Sequence, residues 1–305
     1  VDAKLSSEQE DLIQSIRGAL ERHRITNPYP SPSTIDVGAL KLLDSLGYLD
    51  IIESGGSPVD VVLVIEAAAA LAPGAPVAAR ALVAPIVISS APPEVVALGT
   101  SWAGSLCRFA NEAEGILYLG NDDAWYLRGD EFTVESIESR WGYPVGRVTP
   151  RDGSTTESVE AKRLLTAWRI ALAAEIGGLM EAATLLASAY VSERFQFGRS
   201  IGSIQTVQHR LARSYVASQA TKWLARRAAW DVDDHEAAAA AACYATSEAP
   251  EVLASVQQVC GAIGFTDEFG LTRFTARLAM LQTELGGPWA HARSVAELHW
   301  PASTG

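Results

Sequence analysis

The 305-residue chain has 24 basic and 36 acidic residues, a formal charge of −12, and 48% hydrophobic residues. That acidity argues against nucleic acid, whose phosphates need a basic footprint, and against an anionic membrane surface. Length and hydrophobic content suffice for a substantial core spread over one to three domains. Cys107, Cys243 and Cys260 are odd in number and have no metal spacing. They read as reduced thiols of a cytoplasmic protein with no metal, Cys243 and Cys260 acting as small buried hydrophobes. No charged-then-apolar signal segment opens the chain, and apolar windows such as 61–71 are too short or too interrupted by charge to span a bilayer.

Residues 6–24 predict a helix, capped by Ser6 or Ser7, acidic in its early turns and striped with Leu12, Ile13, Ile16 and Leu20. The Pro- and Ser-rich run 27–33 is a connector. A second helix follows from about Thr34, carrying Val37, Leu40, Leu43 and Leu46 and stopping at Gly47. Residues 54–58 break the chain, and Pro58 opens a third helix through Val62, Ile65 and Leu71 that ends near Pro73 and Gly74. Another helical run covers 77–87.

From Pro92 the period changes. Segments 95–98, 106–109, 115–119, 125–128 and 132–137 are short, β-branched or aromatic, and separated by turn residues. They predict a small antiparallel β region, continued by 140–150, with a boundary at 151–154. Only helices follow: 157–196, 203–230, 235–248, 250–260, 267–284 and 288–298. The expected fold is mainly α with a small β domain: a helical domain 1–91, a reduced β domain 92–152 and a helical bundle 153–305.

One stretch, 192–205, combines charge, aromatics and breakers. Gly198 can end the preceding helix in the left-handed conformation, and Ser203 can cap the next one. Gln205 then falls in a first turn with free backbone donors. Arg194 and Phe197, three apart, share a face one turn before the break. A cation, an aromatic and an amide beside a helix N-terminus suit a phosphate-bearing planar cofactor. Spacing alone leaves a surface arginine at a tight helical hairpin equally open.

The Arg194-x-x-Phe197-Gly198…Gln205 run resembles the signature of the acyl-CoA dehydrogenase family. So does Gln257-Gln258-Val259-Cys260-Gly261-Ala262-Ile263-Gly264-Phe265, with Ala262 where that family usually has a second glycine. The resemblance covers roughly residues 155–305. It implies a three-part helix–β–bundle fold, FAD as cofactor, and a bundle that reaches the flavin held by a neighbouring subunit. Arg194 would meet the pyrophosphate, Phe197 and Gly198 would pack on the dinucleotide, and Gln205 would point to its adenine end. Gln258 and Gly261 would offer donors near the pyrophosphate.

Two family features are missing. The Thr-Glu-Pro-x-x-Gly-Ser-Asp-like run that holds a subunit's own flavin has no counterpart between Pro92 and Pro150; the nearest fragment is 99–104. The carboxylate base, counted without gaps from Phe265, falls on Leu285, with Glu284 one residue early, and one helical residue is a rotation of about 100°. The family's other base position falls on Trp168, ahead of Arg169. The implied protein is therefore a shortened β-type subunit with no catalytic residue of its own. It would pair with a full-length sister subunit that binds most of the acyl-CoA. The resemblance is closest to the α2β2 bacterial dehydrogenases of steroid CoA thioesters. Two alternatives stand beside it: a self-sufficient homo-oligomeric or oxygen-using flavoenzyme with Glu284 as base, and a structural scaffold without flavin contact. His235-Glu236 lacks the second histidine of a zinc helix. Arg226-Arg227 reads as a solvated helix face, and Trp223 and Trp230 as core or interface anchors.

Overall fold

The computed structural model describes residues 4–26, 34–100, 105–139 and 142–300. The expected 27–33 connector and most of the 99–104 fragment lie outside the described residues, as do positions 140 and 141.

Three N-terminal helices come first: α1 (Ser7–Thr26), α2 (Val37–Ser45) and α3 (Pro58–Leu71). Asp36 caps α2 by accepting from the Ala39 N–H at 2.9 Å, so that helix starts three residues after the expected Thr34. Ser57 caps α3, with Pro58 in its first turn, where a missing N–H costs nothing. The expected 77–87 helical run is present, and it passes through a π-helical stretch, Ala79–Val83, before α4 (Ala84–Val87). Its buried Arg80 pairs with Asp50 and with Glu53 Oε1 at 3.2 Å. The wider helical turn lets the guanidinium leave the apolar face toward these carboxylates.

The β region holds β1 (Val96–Gly99), β2 (Ser105–Arg108), β3 (Gly115–Leu119), β4 (Ala124–Arg128), β5 (Phe132–Ile137), β6 (Val145–Pro150) and β7 (Glu157–Ser158). It forms two sheets, ordered β1-β3-β4-β7 and β2-β6-β5. The expectation of a purely antiparallel region is corrected: β1 and β3 run parallel, Val96 opposite Gly115. The intervening β2 leaves for the second sheet, which supplies the crossover that a parallel pair needs. Cys107, Ile116, Tyr118, Leu127, Phe132 and Val148 form a small core of their own between the sheets.

The bundle begins with α5 (Ala161–Glu193), the 33-residue axis of the molecule. It is the one helix among the described residues long and apolar enough to cross a membrane, and 78% of its apolar window is buried in the fold. Gly177 and Gly178 sit at its middle, and a Cβ on Gly178 would meet the Glu66 carbonyl oxygen at 2.4 Å. The backbones of α3 and α5 touch there.

Then come the two-residue strands β8 (Phe195–Gln196) and β9 (Arg199–Ser200), followed by α6 (Gln205–Ala229), α7 (His235–Cys260), α8 (Thr272–Leu281) and α9 (Gly287–His299). The two helices expected at 235–248 and 250–260 are one. Pro250 costs its helix about 3 kcal/mol, but the inner face of Ala238, Ala241, Ala245, Ala249, Val252 and Val256 is buried on both sides of it. The continuous apolar stripe outweighs the lost hydrogen bond.

Arg226 is also corrected. It is buried on α6, with Nε and Nη2 bonded to Glu66 at 2.9 and 2.5 Å. Lys222 Nζ completes the cluster at 3.1 Å from both Glu181 oxygens and 3.6 Å from Glu66. Only Arg227 is solvated, paired with Asp234. Trp223 lies under the Arg226 guanidinium, whereas Trp230 is 71% exposed.

Candidate functional site

Two places gather chemistry, one at an end of the bundle and one between bundle and sheets.

At the bundle end, α5 stops at Glu193, and the chain turns through the β8–β9 hairpin rather than continuing as helix. Phe195 pairs with Ser200 and Gln196 with Arg199, leaving Phe197 and Gly198 as a two-residue turn with φ of +55° and +75°. This is the positive-φ geometry that matches the twist of a tight hairpin. Arg194 and Phe197 therefore do not share a helix face: Arg194 is the C-cap, with ψ of 114°, and Phe197 is the hairpin tip, 89% exposed. Gly198 is the second residue of that turn and not a helix terminator. Ser203 is not the cap either. Ser200 caps a short 3-10 turn at 201–203, and Ser203 Oγ donates to the Ser200 carbonyl.

Gln205 opens α6 and is exposed. The helix has no side-chain cap, so its first N–H groups are uncommitted. A short turn joins α6 to α7, which returns antiparallel and brings Gln258 and Gly261 back to the same end of the bundle. Tyr190 of α5 and Phe269 pack edge to face at 5.0 Å and tie the two motif-bearing segments together. Gln258 and Gly261 are exposed, Gly261 with φ of +65°. Among the described residues the Arg194 guanidinium has no hydrogen-bond or ion-pair partner. One turn further along, His209, Arg210 and Arg213 face Glu248, Glu251 and Ser255 across a groove between α6 and α7 of about 410 Å³. The two motifs do not reveal this groove, although His209 and Arg213, i and i+4 on α6, share a face.

The second place is a cleft of about 500 Å³ bounded by β1 and β2, by α5, and by the turn between α8 and α9. Glu284 lies here. The premise that it continues a helix is corrected: α8 ends at Leu281, and 284–286 is a 3-10 turn with Leu285 at φ of +55°. That turn, not helix rotation, directs the carboxylate inward. Arg108 clamps it from β2, Nε to Oε2 at 3.0 Å and Nη2 to Oε1 at 3.2 Å. Trp168 Nε1 also donates to Oε1. Arg108 reaches on to Glu175 Oε1 at 3.0 Å, and that oxygen receives the Tyr143 hydroxyl at 2.5 Å.

Burial works against the Arg108 charge, but the Glu175 and Glu284 carboxylates outweigh it and hold its pKa well above the ordinary value. Burial, then Glu175, push the Tyr143 hydroxyl well above its ordinary range, so Tyr143 keeps its proton and donates it to Glu175. The Arg277 guanidinium also lies over this ring, at 5.0 Å from its centroid. Of this network the sequence motifs name only Glu284 and Trp168. Glu175 had a signal, a carboxylate inside an otherwise apolar helix stripe; Arg108 and Tyr143 had none. No group of acids, histidines or cysteines able to hold a metal occurs among the described residues. Cys107 and Cys260 are buried, while Cys243 is half-buried with its thiol toward the Pro288 carbonyl. His235 contacts Thr166 Oγ1 through Nδ1 at 2.6 Å.

Residues 159–296 match the family described as "Acyl-CoA dehydrogenase, C-terminal domain". Among curated relatives, "Acyl-CoA dehydrogenase FadE34" of Mycobacterium tuberculosis is 30% identical over 277 residues, 80% of this chain and 39% of that protein. Other matched relatives align over only 29% and 34% of their length; the chain spans well under half of each. Among solved structures, the "Tcur3481-Tcur3483 steroid ACAD G363A variant" superposes with a TM-score of 0.76 at 20% identity, covering 96% of this chain and 97% of that one. The "ChsE4-ChsE5 complex from Mycobacterium tuberculosis" does so with 0.76 at 18%, covering 98% and 99%. Helical N-terminal region, small β region and helical bundle occur here in the same order as in those folds, and the bundle is the part that the family description matches. The bundle, residues 159–296, belongs to the C-terminal domain family of the acyl-CoA dehydrogenases.

Proposed function

We propose that this chain is a subunit of an FAD-dependent acyl-CoA dehydrogenase that contributes contacts to a flavin held by a partner chain and has no catalytic base of its own. One observation carries the reading: Glu284, the carboxylate next to the expected base position, has both oxygens engaged by Arg108 and Trp168. To accept a substrate proton it would first have to leave three hydrogen bonds in a half-closed cleft.

The bundle end fits the borrowed dinucleotide. Arg194 is an uncommitted cation, Phe197 an exposed ring, and a Cβ on Gly198 or Gly261 would meet nothing within 4 Å. There is room for a flat, anionic ligand to approach the backbone at both glycines. Arg194 would face the pyrophosphate, Phe197 and Gly198 the dinucleotide surface, Gln205 its adenine end, and Gln258 and Gly261 the pyrophosphate flank. When bound, FAD would supply the hydride acceptor of the dehydrogenation. Arg108, the charged residue that the β region puts in the cleft, is already paired with Glu175 and Glu284, which supports the absence of a flavin in cis. The division into 1–91, 92–152 and 153–305 belongs to the same proposal.

The partner in this reading is a full-length sister subunit in an α2β2 assembly in the cytoplasm, and it supplies the base and most of the acyl-CoA contacts. A steroid side-chain CoA is the proposed substrate class, in line with the steroid ACAD among the structural neighbours, and the ChsE4-ChsE5 complex is in line with a second chain. The test is co-expression with the sister subunit. Arg194→Ala is expected to strip flavin from the complex, and Glu284→Gln to leave turnover within about twofold. A chain that binds FAD alone and loses turnover in Glu284→Gln would support the self-sufficient alternative instead.

A further inference from the structure

The helices α6 and α7 divide the charges of the bundle between them. α6 carries Arg210, Arg213, Lys222, Arg226 and Arg227 and no acid, whereas α7 carries Glu236, Glu248 and Glu251 and no lysine or arginine. Half of these charges are committed. Lys222 and Arg226 are buried against Glu181 and Glu66, Arg227 pairs with Asp234, and Glu236 pairs with His299. Arg210, Arg213, Glu248 and Glu251 form no ion pair among the described residues, although they line opposite walls of one groove. Arg210, Arg213 and Glu251 are exposed and Glu248 is half-buried.

The groove holds the two rows apart, so each is complementary to a row of opposite sign from outside. A second copy of the chain offers both. A two-fold axis across the helices would set α6 on α6 and arginine on arginine. A two-fold axis along the groove sets each α6 antiparallel on the other copy's α7, at the same level, with arginine on glutamate twice over. Only the second arrangement is self-complementary. The surface around the charges permits the approach. Arg213, Val216 and Ala220 share one face of α6 at i, i+3 and i+7, and Ser247, Glu251 and Ala254 share one face of α7 at i, i+4 and i+7. Val216 is 65% exposed, an apolar side chain left in water, and the α7 face opposite it in this arrangement is built of small residues. Two helices about 37 Å long, side by side, present roughly 700 Å² per copy, near the size of a specific interface.

We propose that two copies of this chain associate through the α6–α7 face about a two-fold axis along the groove, with Arg210 and Arg213 of each copy against Glu248 and Glu251 of the other. The contact joins identical chains. It is separate from any contact that shares a flavin with a sister subunit and does not depend on one.

Sedimentation velocity of the full chain over a concentration series tests this with two charge reversals, Arg210→Glu/Arg213→Glu and Glu248→Arg/Glu251→Arg. The unaltered chain is expected to dimerise. Each reversal sets like charges against each other in both halves of the interface and is expected to weaken the dimer at least about tenfold. An equimolar mixture of the two variants is expected to dimerise again, because the introduced acids of one chain then face the introduced bases of the other and the native residues pair in the other half. The altered side chains lie at the surface outside the ion-pair network, so melting temperatures are expected to stay close to that of the unaltered chain. If a double variant fails to fold, the single changes Arg213→Glu and Glu251→Arg replace it in the same mixing design. A chain that stays monomeric at its highest soluble concentration, a dimer indifferent to both reversals, or a mixture that does not recover would overturn the proposal. So would loss of a co-expressed sister subunit in Arg210→Glu/Arg213→Glu while the dimer persists, which would assign this face to the sister chain.

Discussion

Arg108 and Glu284, 176 residues apart, form a two-point ion pair across the cleft at 3.0 and 3.2 Å. The pair joins the second sheet to the turn before α9, and through Glu175 it joins both to α5. It commits the Glu284 carboxylate to structure. Arg108→Met removes the cation that both Glu175 and Glu284 pair with. A destabilisation of about 3–5 kcal/mol is expected, read by denaturant unfolding.

Phe197 sits at positive φ, which costs a non-glycine residue about 1–2 kcal/mol. Its ring is 89% exposed and recovers none of this by packing in the free chain. Phe197→Gly is therefore expected to stabilise the isolated chain by about 1 kcal/mol. In the co-expressed complex the same change is expected to weaken flavin retention. A gain in stability with unchanged flavin content would remove Phe197 from the dinucleotide contact.

The contact of α3 with α5 depends on Gly178. A methyl group there would meet the Glu66 carbonyl oxygen at 2.4 Å and the Ala69 Cβ at 2.9 Å. Both are held by helix backbone, so neither can yield cheaply. Gly178→Ala is expected to lose about 1–3 kcal/mol by thermal melting despite the better helix propensity of alanine.

His291 gives a pH dependence of definite sign. The unfolded chain protonates it near pH 6.5, whereas the buried ring facing Arg169 protonates only near pH 4. Between those values the unfolded state binds more protons, so stability is intact above pH 6.5 and falls as the pH drops toward 4. The loss amounts to as much as about 3 kcal/mol. His291→Leu is expected to flatten that part of the stability curve, and an unchanged slope would show that other groups produce it.

The helices were legible because burial imposes a period. The α5 stripe from Leu164 to Ala187 and the helix start at Pro58 fall where the pattern put them. What escaped was tertiary. Pro250 ends a helix on propensity, but a buried alanine face on both sides of it overrules that preference. Arg226 beside Arg227 reads as surface until Glu66, 160 residues earlier, is brought under it. At the bundle end the motif named residues but not their arrangement: a two-residue turn at Phe197 and Gly198 replaces the helix end, because the four residues around it pair as strands. The cleft network was the least legible, since Arg108, Tyr143 and Glu175 come from three distant segments and share no spacing.

The flavin content of the chain purified alone, read from its visible absorption spectrum and followed by addition of an acyl-CoA, tests the central claim most directly. A colourless chain that gains flavin only when its sister subunit is present, and loses it in Arg194→Ala, is the predicted result. A yellow chain that oxidises the thioester unaided, and stops doing so in Glu284→Gln, would contradict it.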